Sequence, residues 1–304
     1  MTHTPVVAVL GTGVMGLPMA ANLLDAGLGV RVWNRTAERA RPLAERGAEV
    51  AADPKAAVEG ADLVVTMLAD GQAVRDTVEP VLDSFAPDAV WLQMSTIGAD
   101  WTRTLAGLAH AAGVAFVDAP VLGTRQPAEQ GALVVLGAGP EELRPRCAPV
   151  FDAVGARTLW VGETGAASGL KLVANAWVLA LTNATAESVA LARELGLDPA
   201  LFLEAISGGA LDVGYAHAKG EAMMNDEFPL SFAVRHALKD ADLVLAAARD
   251  TDLAGVRAAR RHLGSAVEAG FADDDMAALY RAVTGGGQTP RGRQGRTAGD
   301  DDAR

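Results

Sequence analysis

The sequence predicts a doubly wound α/β domain with a mainly parallel sheet, followed by an all-α domain. Three observations carry this expectation. Up to about residue 163, short apolar runs rich in Val and Leu alternate with helical patterns. Beyond Gly165 the strand signals stop and only helical patterns remain. Near the N-terminus the run V-V-A-V-L stops at G-T-G-V-M-G, and a helical stretch begins at once. Continuous apolar strands alternating with helices imply parallel strands covered on both faces.

The elements follow in order. Expected strands are Val6–Leu10, Val30–Trp33, Leu63–Met67, Val90–Gln93, Ala115–Val117, Leu133–Leu136 and Thr158–Val161. Expected helices between them include Met15–Ala26, Ala37–Glu45, Ala73–Val78, Trp101–Ala112 and Glu141–Val150. A long helix is expected from about Ala166 to Leu195, ending at Gly196 as a C-cap. It is apolar almost all round and so should be buried on several sides. Further helices fit Pro199–Ser207, Val213–Met224, Phe232–Arg249, Ala254–Ala269 and Asp275–Val283. The segment from Gly285 lacks apolar periodicity and should be disordered. The expected division is therefore 1–163, 164–284 and a tail, 285–304.

Composition narrows the function. The chain has 304 residues, enough for two domains, and half are hydrophobic. A formal charge of -12 disfavours nucleic acid and anionic membrane surfaces as partners. The single cysteine, Cys147, rules out an internal disulfide and suits a reducing compartment. The longest apolar stretch, Leu172–Leu181, is interrupted by Asn175 and does not read as a membrane span. Met1–Pro5 is short and polar and does not read as a signal peptide. The expectation is a soluble, cytoplasmic protein. No metal-ligand spacing occurs, so no metal is expected.

The glycine turn is the first candidate site. Strand, turn and helix are in the order that a G-x-G-x-x-G needs to bind a dinucleotide, as in a Rossmann domain. Gly11 permits the tight turn, Gly13 lets backbone approach a pyrophosphate, and Gly16 lets helix and strand pack closely. Thr12, Val14 and Met15 lie in the same cradle, and the helix N-terminus offers free N–H groups. The second strand ends N-R-T, where a unit selective for NAD carries an acid. Neutral Asn34 removes repulsion toward a 2′-phosphate, and Arg35 can pair with it, beside Thr36. One charge-assisted bond contributes roughly 1.5–3 kcal/mol, or about one to two decades in affinity. The expected cofactor is NADP(H); the alternative is that Arg35 is a solvated charge at a helix start.

A nicotinamide cofactor implies hydride transfer, and the protein must then orient a carbonyl and protonate its oxygen. In G-A-A-S-G-L-K-L-V-A-N, Lys171 and Asn175 are polar residues of an apolar segment, four apart and on one helix face. Lys171 can hydrogen-bond a substrate oxygen and deliver a proton, with partial burial lowering its pKa. Asn175 can position the lysine or the substrate. A lysine at a domain edge with its head in solvent is the competing reading.

These segments resemble the β-hydroxyacid dehydrogenases, the group of 3-hydroxyisobutyrate dehydrogenase, tartronate semialdehyde reductase and the glyoxylate/succinic semialdehyde reductases. The likeness runs to about Val283 and rests on four ordered segments. They are G-T-G-V-M-G-L-P-M-A-A-N-L, then D-A-P-V-L-G-T-R-Q-P-A-E-Q-G-A-L from Asp118 to Leu133, then the Lys171–Asn175 segment, and A-L-K-D-A-D-L with Lys239 and Asp240. The resemblance implies that Lys171 is catalytic, with Asn175. It implies that Met67 and Leu68 line the nicotinamide ribose and that Thr96 lies near nicotinamide and substrate. It places Gly123 and Thr124 at a substrate carboxylate and Phe232 in the pocket wall. Lys239 would approach the nicotinamide, with Asp240 beside it at the substrate; by pattern alone that pair reads as a solvated helix face. A helical domain like that of 6-phosphogluconate dehydrogenase and a homodimer or homotetramer are also implied.

One departure stands out. The family commonly reads D-A-P-V-S-G, whereas Leu122 occupies the serine position here and donates no hydrogen bond. Q-P-A-E-Q-G-A-L and N-R-T look more like the semialdehyde reductase branch. The expected function is an NADP(H)-dependent reductase of a small aldehyde or keto acid. An NADPH-dependent imine reductase and a non-catalytic NADPH-binding protein are the alternatives.

Overall fold

The computed structural model describes residues 4–285. The expected disordered tail therefore lies, apart from Gly285, outside the described residues. Six parallel strands form the main sheet: β1 (Val6–Leu10), β2 (Gly29–Trp33), β3 (Glu49–Val50), β4 (Leu63–Thr66), β5 (Val90–Gln93) and β6 (Ala115–Asp118), in the order β3-β2-β1-β4-β5-β6. Helices cover both faces, and β4 and β5 are buried along their whole length. That burial is why these strands read as unbroken apolar runs. Trp91 in β5 is fully buried edge-on against Phe85 and Phe116, and its Nε1–H donates to Thr66 Oγ1 at 3.0 Å.

A second sheet of three strands follows, with β7 (Val121–Leu122) antiparallel to β8 (Leu133–Gly137) and β9 (Gly155–Trp160) parallel to β8. Asp118 at the end of β6 bridges to Ala138, which joins the two sheets. Among the described residues β9 is the last strand, and helices make up the regular structure after it, with one isolated bridge between Ala233 and Asp275.

Most expected elements appear within two or three residues of their expected ends. The differences have local causes. The expected helix Ala37–Glu45 is a 3-10 turn, Ala37–Arg39, then a short helix, Arg41–Ala44. Pro42 has no N–H to continue the first turn and sits instead at the start of a second. Pro145 divides Glu141–Leu143 from the helix Arg144–Val154 in the same way. The short helices Pro54–Val58 and Arg125–Glu129 and the two-residue strands β3 and β7 were not expected.

The long helix runs Ala166–Glu194. Leu172, Asn175, Leu179, Thr182, Ala186 and Val189 are buried at helical spacing, and the apolar four share a core with the helices Val234–Ala247 and Ala254–Glu268. Burial on several sides is not reached within the chain, because Val173 and Trp177 are 67% and 62% exposed. No helix among the described residues is long and apolar enough to cross a membrane.

Candidate functional site

The glycine turn lies between β1 and the helix Gly16–Asp25, at the C-terminal end of the sheet. Strand order reverses there, between β1 and β4, which is where open α/β sheets bind ligands. Gly11 has φ +109, and a Cβ on it would meet Met67 O at 2.3 Å. A Cβ on Gly16 would meet Gly11 O at 1.9 Å. Both glycines are therefore required by close packing. Gly13 differs, since nothing lies within 4 Å of where its Cβ would be. The turn is closed toward the sheet and open above Gly13. Thr12 is buried, and its Oγ1 has no hydrogen-bond partner among the described residues. The helix has neither a side-chain cap nor an acid in its first turn. Open space over backbone N–H groups, an unpaired buried hydroxyl and an uncapped helix N-terminus fit a dinucleotide phosphate.

Asn34 does more than the sequence suggested. Its Oδ1 accepts from Thr12 N–H at 3.1 Å, and its Nδ2 donates to Thr36 O at 2.9 Å, so it braces the glycine turn against the end of β2. Arg35 is exposed and pairs with no acid among the described residues.

Met67, Leu68 and Thr96 are half-buried in the segments that follow β4 and β5. Leu68 N–H donates to Ser95 Oγ at 2.9 Å. Lys239 reaches these segments from the helix Val234–Ala247, and its Nζ donates to Thr96 O at 2.6 Å and Ala69 O at 3.1 Å. It also lies 3.0 Å from Asp240 Oδ1. Lys239 therefore ties the helical region to the ends of two sheet strands; it is not a solvated side chain.

Asp240 is buried and accepts from Asn175 Nδ2 at 2.8 Å through Oδ2. Lys171 stands one turn before Asn175 and is half-buried. Burial pushes its pKa below the usual lysine value; Asp240 opposes that shift and the Lys239 charge adds to it. Lys171, Asn175, Lys239 and Asp240 thus form one electrostatic group. His236, one turn before Lys239, is half-buried; burial, Arg235 and Lys239 hold its pKa below the usual imidazole value. Burial pushes the Cys147 thiol up to about 12, which makes it a poor nucleophile.

The Asp118–Leu133 segment is placed less directly. Leu122 pairs with Val134 and packs with Leu136, Ala138 and Ala167. Gly123 follows with φ +126. Thr124 is at the N-cap position of Arg125–Glu129, and its hydroxyl makes no cap bond. Phe232 is half-buried against the helical core. Among the described residues no cluster could hold a metal ion.

Two buried polar clusters were not read from the sequence. Asp118, Ser168 and Thr102 form one, at the join of β6, the long helix and the helix Gly98–Ala111. Lys219, Ser231 and Asp275 form the other, with Lys219 Nζ 2.6 Å from Asp275 Oδ1. Asp275 also accepts the N–H groups of Ser231, Phe232 and Ala277, so it fixes the segment carrying Phe232. Burial would raise the Asp275 pKa, but Lys219 and these hydrogen bonds outweigh it and hold the carboxyl below its usual range.

Comparison with known proteins decides the family. Residues 6–162 match the NAD-binding domain of 6-phosphogluconate dehydrogenase, and residues 165–283 match the NAD-binding domain of NADP-dependent 3-hydroxyisobutyrate dehydrogenase. The chain belongs to the β-hydroxyacid dehydrogenase family. Glyoxylate/succinic semialdehyde reductase 2 of Arabidopsis thaliana is 31% identical over 91% of this chain and 79% of its own length. Reductase 1 of the same plant is 32% identical over 91% of this chain and 98% of its own. The structure of Mycobacterium tuberculosis 3-hydroxyisobutyrate dehydrogenase with L-serine superimposes with a TM-score of 0.82 at 28% identity, covering 92% of this chain and 99% of that one. As a member of this family the protein is an NAD(P)-dependent oxidoreductase of hydroxy acids.

Proposed function

We propose that the protein is an NADP(H)-dependent reductase that converts a small aldehyde or keto acid, a semialdehyde in the first instance, into its hydroxy acid. The observation that carries this reading is Lys171. A half-buried lysine with a lowered pKa stands beside an amide held by a buried carboxylate, on the side where Lys239 reaches the strand ends. The relatedness to semialdehyde reductases supports the substrate class.

The N–H groups at Gly13 and the helix N-terminus bind the pyrophosphate, with Thr12, Val14, Met15 and Gly16 shaping the cradle. Arg35 pairs with the 2′-phosphate, beside Asn34 and Thr36. Met67, Leu68 and Thr96 hold the ribose and ring, and Lys239 fixes Thr96 from the other side. When bound, the reduced nicotinamide supplies the hydride to the carbonyl carbon. Lys171 donates one proton from Nζ to the carbonyl oxygen, and bulk water then reprotonates the neutral amine. Asn175, oriented by Asp240, hydrogen-bonds the substrate. The Gly123 backbone and Thr124 hydroxyl take the substrate carboxylate, and Phe232 closes the pocket. Leu122 makes the wall next to Thr124 apolar. That favours a substrate with hydrocarbon there, such as the methylene chain of succinic semialdehyde or the methyl branch of methylmalonate semialdehyde. The exposed Val173 and Trp177 support association of two or four copies through the helical regions, and the lone cysteine supports a cytoplasmic setting.

The test is NADPH oxidation by the purified protein with succinic semialdehyde, glyoxylate, methylmalonate semialdehyde, tartronate semialdehyde and a cyclic imine. Turnover of an aldehyde acid is expected. Turnover of the imine alone would replace this reading with imine reduction. Tight NADPH binding without any turnover would leave only a binding protein.

A further inference from the structure

The carboxylate of Asp118 is fully buried at the end of β6, and no step above uses it. Its Oδ2 accepts from Gly165 N–H at 3.1 Å and Ser168 N–H at 2.8 Å, and its Oδ1 accepts the Ser168 hydroxyl at 2.7 Å. Gly165 is the N-cap of the helix Ala166–Glu194 and has no side chain to cap it. The acceptor that its free N–H groups need comes instead from a strand of the parallel sheet. The backbone of Asp118 is fixed as well, exchanging N–H and C=O bonds with Ala138 at 3.0 and 2.8 Å.

The hydroxyl protons can be assigned. Burial pushes the Asp118 carboxyl above the usual carboxylate range, against the hydrogen bonds from Ser168 and Gly165 that favour its charge; in its ionised form the carboxylate only accepts, so Ser168 donates to it. Thr102 then donates to Ser168 Oγ, at 2.8 Å. Ser168 lies one turn before Lys171 on the same helix. The place of Lys171 relative to the strand ends is therefore set through this carboxylate.

We infer that Asp118 is a positioning residue for Lys171: as a hydrogen-bond acceptor it pins the first turn of the lysine-bearing helix to the sheet that holds the cofactor. Its catalytic consequence rests on the reading of Lys171 as proton donor. Displacement of a donor by about 1 Å lowers rates by up to about a hundredfold. Asparagine can restore the network. Its carbonyl oxygen can accept both N–H groups, and its amide can donate to Ser168 Oγ. Ser168 then turns its proton to Thr102, and Thr102 to Gly98 O, 2.9 Å away.

The experiment compares the parent with Asp118→Ala, Asp118→Asn and Ser168→Ala. It reads kcat and KM with an accepted aldehyde acid, NADPH affinity by fluorescence, and backbone hydrogen exchange. Asp118→Ala should lower kcat about tenfold to a hundredfold, with NADPH affinity unchanged. Exchange should speed up at residues 166–175 and stay unchanged at residues 183–194. Asp118→Asn should recover most of the lost kcat. The inference is overturned if kcat of Asp118→Ala stays within about twofold of the parent, if exchange at 166–175 is unchanged, or if Asp118→Asn is as slow as Asp118→Ala. Where Asp118→Ala does not fold, Ser168→Ala decides: a smaller loss of kcat supports the inference and an unchanged kcat overturns it. If the parent reduces no carbonyl, the proposed function fails, and hydrogen exchange alone decides the positioning role.

Discussion

Replacing Gly13 and Gly16 by alanine should separate ligand binding from packing within a single turn. At Gly16 the new methyl would be placed 1.9 Å from Gly11 O, about 1.5 Å short of the 3.4 Å at which ordinary contact begins. Gly11 O is backbone and the Cβ is fixed to the Gly16 Cα, so no side-chain rotation relieves the contact and the helix must move off the turn. Overpacking of this kind costs about 1–3 kcal/mol and sometimes more. At Gly13 the new methyl meets nothing within 4 Å, and the residue does not have a positive φ. Gly13→Ala should therefore fold with the stability of the parent. It should nevertheless fill the space assigned to the pyrophosphate. Loss of one charge-assisted hydrogen bond, about 1.5–3 kcal/mol, weakens NADPH binding by about tenfold or more. Urea melts read the first quantity and NADPH fluorescence titration the second. Gly16→Ala should shift the melt; Gly13→Ala should shift the titration alone. NADPH bound by Gly13→Ala as tightly as by the parent would refute the placement of the phosphate over this turn.

Three further outcomes follow from the same geometry. Arg35→Ala should weaken NADPH by about one to two decades and leave NADH nearly unchanged; equal losses on both cofactors, measured by titration, would remove Arg35 from the 2′-phosphate. In the reduction direction Lys171 must carry its proton, so kcat should fall as pH rises through its pKa, below the usual 10.5 for lysine. Lys239→Met removes a charge that lowers that pKa, so the alkaline limb of the pH profile should move up; a limb that stays or moves down would contradict the assignment. Lys219→Met leaves the buried Asp275 carboxylate without its cation and should cost about 3–5 kcal/mol in a urea melt; a loss below about 1 kcal/mol, the scale of an exposed pair, would show that the hydrogen bonds to Asp275 suffice.

The strands that read clearly are those with three or more consecutive apolar residues, such as Val6–Leu10 and the first three positions of Val90–Gln93, because burial on both faces leaves a continuous signal. β3 and β7 gave no such signal. Each has two residues, and neighbours such as Arg31, opposite Glu49, and Val134, opposite Leu122, determine their pairing. The glycine turn was legible because close approach of backbone leaves glycine at fixed intervals. The Lys171–Asn175 pair was legible because polar residues one turn apart stand out in an apolar helix. Asp118–Ser168 and Lys219–Asp275 were not, since their partners are 50 and 56 residues apart and no periodicity connects them. The one hint was that Asp118 opens D-A-P at the end of an apolar run. The brace formed by Asn34 was hidden by a second meaning of the same residue, the absence of an acid at that position.

In the proposed reaction Lys171 protonates the substrate oxygen. It is tested most directly by single-turnover hydride transfer from saturating NADPH to an accepted aldehyde acid, comparing the parent with Lys171→Ala. Lys171→Ala should lower the transfer rate by about two to four decades, with NADPH affinity retained. A rate that survives the substitution would contradict it.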